Sequence, residues 1–172
     1  MFKAIPDPCL AAIAEGVNFA ELTHLREGSQ MTDEEWENAM LAIEKTQAGA
    51  STEDNRGSQL TLARQQQFTR HVLDPHPVVV TRANFARDLT LMYNAGVAMG
   101  NGTPEQRVEA LDFIDRFELF DDDSRAAQLR LSSPNSYIHH GDVGHDYPIR
   151  TPEAIVEEVG WVMDNLARTS HS

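Results

Sequence analysis

The sequence predicts an all-α fold: one globular domain over residues 1–172, an irregular helical bundle of five or six helices, with a long loop around residues 132–150. Three observations predict it. Threonine or aspartate followed by Pro, or by Glu or Gln three residues on, marks helix starts at several points along the chain. After each start, apolar residues recur at spacings of three and four. Strand character is confined to Val78-Val79-Val80, which lies between Pro77 and a helix-opening Thr81 and is too short for a sheet.

Taken in order, Asp7-Pro8 opens an N-terminal helix carrying Leu10, Ile13, Ala14 and Val17. In Met31-Thr32-Asp33-Glu34-Glu35-Trp36, the Thr32 hydroxyl is placed to accept from a first-turn amide while Glu35 reaches back to the Thr32 amide, and Met31 packs on Trp36. A helix over 33–48 follows, with Trp36, Met40 and Ile43 on one stripe, ended by Gly49 and the polar run Ser51 to Asn55. Residues 57–73 are a sixth candidate, narrow on its apolar side at Gln65 to Gln67 and closed by Asp74-Pro75-His76-Pro77. Thr81 opens a helix with Phe85, Leu89 and Met92 that ends at Gly100-Asn101-Gly102. Thr103-Pro104-Glu105-Gln106 opens the next, lined by Val108, Leu111, Ile114 and Phe117. Asp121 to Ser124 cap a short helix reaching Leu131, and Ser132-Ser133-Pro134-Asn135 breaks it. Thr151-Pro152-Glu153 opens the last, with Ile155, Val159, Val162 and Leu166 facing the core.

Composition bounds the class. Apolar residues at 41% and charged residues at 24% describe a globular chain rather than a disordered one. The single Cys9 excludes an intramolecular disulfide and a cysteine-based zinc site and fits a reducing compartment, where it is expected as a small buried hydrophobe. The opening MFKAIPDPCL has no basic flank leading into an apolar run, and nowhere do about 18 apolar residues run together, so no membrane association and a cytoplasmic location are expected. Twenty-seven acidic against 14 basic side chains give a formal charge of −13, which repels phosphate backbones and anionic lipid heads. Direct nucleic-acid binding is disfavoured on that ground. There is no P-loop, no G-x-G-x-x-G and no G-x-S-x-G.

The stretch Ser136 to Pro148 has two glycines and no helical period, and it concentrates chemistry. Imidazole and carboxylate are ligands for zinc, manganese or non-haem iron, so His139, His140, Asp142, His145 and Asp146 are candidate ligands for a divalent metal. Such a metal would turn a bound water into a hydroxide nucleophile. A solvated structural loop, a partner-binding surface and metal-free His/Asp acid–base catalysis stay open beside it. A second constellation is carboxylate-based: Glu34 and Glu37 share one helix face, and Glu109 and Asp112 another, a donor set suited to magnesium.

Three partial likenesses accompany these residues. His145-Asp146, with His71 or His76 before it and Asp164 after it, resembles the ligand order of the HD-type phosphohydrolases, all-helical metal enzymes, although Gly144 and Pro148 bracket a pair that this family carries on a helix. The resemblance implies a bound cation. The Glu34/Glu37 and Glu109/Asp112 pairs look like the E-x-x-E and E-x-x-D pairs of the MazG and dimeric dUTPase type of all-α pyrophosphatases, in which metal carries the substrate phosphates; here the pairs lie further apart and lack a basic cluster. Segment 19–47, with Thr32-x-x-Glu35-Trp36, is similar to the helical N-terminal segment of intradiol ring-cleaving dioxygenases, a likeness under 30 residues long that carries no function.

Two functions are expected from this reading. The first is an acidic, α-helical interaction or regulatory protein of the inhibitor or adaptor kind, without catalytic activity, whose partner is a protein with a basic surface. Glu105, Glu109, Asp112, Asp121, Asp122 and Asp123 are its candidate contacts. The alternative is a metal-dependent hydrolase using the His/Asp loop at 139–146. Apolar stripes on every helix would also permit a homo-oligomer.

Overall fold

The structure, a computed structural model, describes residues 7–51, 61 and 64–169. In chain order its elements are α1 (Pro8–Ile13), α2 (Phe19–Leu22), α3 (Leu25–Gly28), α4 (Asp33–Ser51), α5 (Gln67–Arg70), β1 (Val78–Ala83), α6 (Phe85–Ala98), α7 (Pro104–Gln128), β2 (Asn135–His140), α8 (Tyr147–Arg150) and α9 (Pro152–Thr169), with a 3-10 turn at Leu129–Leu131. The molecule is mostly helical with a small two-stranded parallel sheet, so the all-α expectation is corrected to that extent. Its described residues fall into two compact units, 7–51 with 85–118, and 61–84 with 119–169.

The first unit is built from the capping signals. Asp7 Oδ1 accepts from the Leu10 amide at 2.8 Å. At α4, Glu35 Oε2 accepts from the Thr32 amide at 2.8 Å while the Glu35 amide donates to Thr32 Oγ1 at 3.3 Å. Gln106 and Thr103 repeat the exchange at the start of α7, at 2.9 and 3.3 Å. Each box satisfies amides that the first helical turn leaves unpaired. The helix α4 runs through Gly49 to Ser51, past the expected stop.

Leu10, Ile13, Ala86, Leu89, Met92, Ala110 and Ile114 form the apolar core of this unit. Full burial of a leucine or isoleucine side chain contributes about 1.5–3 kcal/mol. A Cβ at Gly96 would stand 1.9 Å from the Ile13 carbonyl oxygen, so α1 and α6 touch backbone to backbone where only glycine fits. Asn101 Nδ2 closes the end of α1 by donating to the Ile13 and Glu15 carbonyls, each at 2.9 Å. On α7 the stripe is corrected in part: Ile114 and Phe117 face inward as expected, but Val108 is 68% and Leu111 44% exposed, and Ala110 and Phe113 face inward in their place. Small Ala110 admits close packing that Val108 would not, and spacings of three and four hold for this set too.

The second unit centres on the sheet. β1 pairs with β2 in parallel, Val78 with Asn135 through Ala83 with His140. Thr81 was expected to cap a helix, but it lies inside β1, and the helix begins at Phe85. Ser136 to His140, expected in a loop, are strand, and Tyr147–Arg150 is a helical turn. The separate helix expected after Asp121 is the continuation of α7. Of the candidate at 57–73, residues 57–60, 62 and 63 lie outside the described residues, and α5 is the described helix within it. Asp74 ties the two strand entries together, accepting from the Ser133 amide at 2.6 Å and from the hydroxyls of Ser132 and Ser133 at 3.0 and 3.1 Å. The Ser133 amide holds the Asp74 carboxyl below its ordinary pKa, with both hydroxyls adding to the effect against some desolvation.

Candidate functional site

Alternation along β1 sends neighbouring side chains to opposite faces of the sheet, and each face of the second unit carries a polar cluster. On one face Thr81 and, from β2, His140 converge on Glu158 of α9. Thr81 Oγ1 donates to Glu158 Oε2 at 2.7 Å, His140 Nε2 lies 3.1 Å from Oε1, and the Tyr147 hydroxyl donates to Oε1 at 2.5 Å. The His140 and Tyr147 rings stack with centroids 4.2 Å apart. Glu158 is only 8% exposed. Burial pushes its carboxyl up, but the hydrogen bonds from Tyr147, Thr81 and His140 together outweigh that, and its pKa ends below the ordinary value. Burial, followed by the same carboxylate, drives the Tyr147 phenol well upward, so it stays a donor.

On the other face Arg82 sits among acids of α7. Its Nε donates to Asp121 Oδ2 at 2.8 Å, its Nη1 lies 2.5 Å from Asp122 Oδ1, and Arg125 Nη2 holds Asp121 Oδ1 at 3.1 Å. Desolvation alone would lower the Arg82 pKa; Asp121, Asp122 and the Tyr137 hydroxyl reverse it and keep the guanidinium charged. At the turn after β2, Asp146 is buried and pairs through Oδ2 with Arg150 Nε, while its Oδ1 has no hydrogen-bond partner among the described residues. Buried orphan oxygens are rare enough to mark a position of interest.

The structure distributes the expected ligands rather than gathering them. His139 and His140 point to opposite faces of β2; His139, Asp142 and His145 are exposed, and Asp146 is buried beside Arg150. Among the described residues no three His, Cys, Asp or Glu side chains form a metal-ligand group, and that covers Glu34, Glu37, Glu109 and Asp112 as well as His71, His76 and Asp164. Of the expected acidic contacts, Glu105, Glu109, Asp112, Asp122 and Asp123 are exposed. Asp112 pairs with Arg116, Glu109 accepts from the Cys9 thiol at 3.0 Å, and Asp121 is buried between Arg82 and Arg125. The Glu109 hydrogen bond is the main cause that raises the Cys9 thiol to about 11, so it stays protonated.

Sequence reasoning missed Thr81, Arg82, Tyr147 and Glu158. One local signal pointed to Glu158: it lies within the apolar stripe of α9, where Val159 was expected inward. The structure reverses those neighbours, burying Glu158 and leaving Val159 55% exposed, because three donors await the carboxylate.

No protein-family model and no solved structure matches this chain. A probable transporter, efuK, of Hormonema carpetanum is 30% identical over 132 residues, which is 76% of this chain and 18% of that protein. An AB hydrolase superfamily protein of Gibberella zeae is 28% identical over 163 residues, 87% of this chain and 48% of that protein. The chain therefore spans less than half the length of either relative. No helix among the described residues is long and apolar enough to cross a membrane.

Proposed function

We propose that this chain is a non-catalytic interaction module of regulatory type that docks on a protein with a basic surface. The observation that carries this reading is the outer face of α9. Val156, Val159 and Met163 follow one another along it at 69%, 55% and 58% exposure, beside the exposed acids Glu157 and Asp164. Covering such a line of side chains is favourable by about 1.5–3 kcal/mol for each one fully buried, and contiguous apolar surface of this kind marks interaction sites. A formal charge of −13 speeds encounter with a basic partner and repels acidic competitors. In the first unit, Val108 and Leu111 of α7 repeat the mixture beside Glu105, Glu109 and Asp112. A reducing, cytoplasmic setting belongs to the same proposal and rests on the single thiol of Cys9.

The test is photo-crosslinking from p-benzoylphenylalanine placed at Met163, with half-buried Ala154 as the control position, in extracts at low and high salt. A discrete adduct from Met163 that fades as salt rises and disappears in Val159→Glu is the expected result. Equal labelling from both positions would overturn it.

Asp146 favours a second reading, hydrolysis. Its buried carboxylate, with Oδ1 lacking a hydrogen-bond partner among the described residues, follows the carboxyl end of a parallel strand, where α/β sheets place ligands. The name of the AB hydrolase superfamily relative lends support. A metal-dependent form would draw on His139, Asp142 and His145 and predicts stoichiometric metal in untagged protein by elemental analysis. Ester hydrolysis that Asp146→Asn abolishes while the circular dichroism spectrum stays intact would put this reading first.

A further inference from the structure

The first unit contains a cavity of about 490 Å³, walled by Val17, Phe19, Leu25 of α3, Met40 and Ile43 of α4, and Met92 of α6. Protein interiors pack as densely as organic crystals, and voids larger than a water molecule are few. Ligand sites, by contrast, run from about 300 to 1,000 Å³. The way α4 is held accounts for the space. Arg26 fixes its start, donating to the Met31 carbonyl at 3.2 Å, pairing with Asp33 and lying 5.5 Å over the Trp36 ring. Further along, Met40 and Ile43 share the cavity wall with Met92, and Ile43 remains 37% exposed.

The wall selects its occupant by chemistry. None of the lining side chains is charged, in a chain where 24% of residues are. Asn18 is the polar one, and its Oδ1 already accepts from the Glu21 amide at 3.5 Å. A charged guest would leave water without gaining a partner. An anion is opposed a second time, because Glu15, Glu21 and Glu44, next in sequence to the lining residues Ala14, Ala20 and Ile43, are all exposed. The thioethers of Met40 and Met92 and the ring of Phe19 favour flat, polarisable rings over alkyl chains, since sulfur–aromatic and aromatic–aromatic contacts add to plain area burial. We propose that this cavity is a binding site for an uncharged aromatic small molecule. The site lies within the first unit and is independent of the docking face on α9.

Fluorescence titration of the full chain with N-phenylnaphthylamine tests it, set against anilinonaphthalene sulfonate, which carries the same rings and a negative charge. The neutral probe should saturate one site per chain, at least tenfold more tightly than the anionic one, and a linear alcohol should displace it only poorly. With isotope-labelled methionine methyl groups, NMR of the native chain should show Met40 and Met92 shifting together as the neutral probe is added, while Met163 of α9 stays unmoved. Ala20→Trp, which fills the cavity from α2, should weaken binding at least tenfold with an unchanged circular dichroism spectrum; Val159→Glu should leave binding intact. The methionine signals keep the proposal testable should Ala20→Trp misfold. Absence of saturable binding by the neutral probe overturns the proposal. So do equal affinities for the two probes, or methyl shifts that miss Met40 and Met92 and fall on Met163, which would place the probe on the apolar face of α9.

Discussion

The two units differ in how much charge they bury. In the first, Leu10, Ile13, Leu89 and Met92 are buried with one charged side chain, Asp88 of α6, which pairs with Arg87, while Thr32, Glu35, Thr103 and Gln106 serve as caps at helix starts. In the second, Arg82, Asp121, Ser132, Asp146 and Glu158 are buried around a two-stranded sheet. Burying apolar area is non-directional and tolerates adjustment. A buried charge is stable only while its partners hold their places. The second unit should therefore be specific and fragile, and the first, away from Asp88, more forgiving of polar change than of steric change.

Arg82→Ala should break that contrast most severely. It leaves Asp121 in a buried site with Arg125 alone, and losing one partner of a buried pair costs about 3–5 kcal/mol. Chemical denaturation followed by a probe in the second unit would measure it; a loss below 1 kcal/mol would mean the pair is solvated. Gly96→Ala comes next, in the first unit. Alanine is normally the better helix former by about 1 kcal/mol, but the Cβ would meet the Ile13 carbonyl oxygen at 1.9 Å, and backbone cannot swing away as a side chain can. Net destabilisation of about 1–3 kcal/mol is expected from overpacking. Thr103→Ala is the mildest, removing one half of a capping box for about 1 kcal/mol, read as a lower thermal midpoint with no change in helix content at low temperature.

What could be read from the sequence divides along the same line. The boxes Thr32–Glu35 and Thr103–Gln106 are local, each made by side chains three residues apart, so the sequence displays them directly. The sheet is non-local. β1 is a half-buried strand that opens on three consecutive valines and lacks the alternation that marks a surface strand, and its partner lies across α6 and α7. β2 alternates Asn135, Tyr137 and His139 with Ser136, Ile138 and His140, a pattern too polar to stand out among glycines and histidines. The polar clusters need both strands in place before Thr81 can meet Glu158, 77 residues away. The histidine-rich segment drew attention for its ligand chemistry, yet His140 is committed to Glu158 and Tyr147. For α7 and α9 the helices were legible and their inward faces in part: Ile114, Phe117, Ile155, Val162 and Leu166 are buried or half-buried as expected, while Val108, Leu111 and Val159 are exposed, since Ala110 and Glu158 look like surface residues until their neighbours are known.

Each unit contains one of the two tryptophans, Trp36 on α4 and Trp161 on α9, which makes the contrast directly measurable. The Glu158 carboxyl titrates below its ordinary value in the folded chain, so its contribution is fully present above the unfolded pKa of about 4.3. It is lost as pH falls through the lower folded value. Glu35 and Glu105 in the first unit are depressed in the same direction, by the Thr32 amide and by first-turn groups at α7, but both are exposed and screened. Urea unfolding of the Trp36→Phe and Trp161→Phe variants at pH 7 and about pH 3.5 should show the Trp161 midpoint falling clearly further than the Trp36 midpoint, with Glu158→Gln removing most of the difference between the two pH values. Midpoints that fall together, or a larger fall at Trp36, would contradict the assignment of a charge-dependent interior to the second unit.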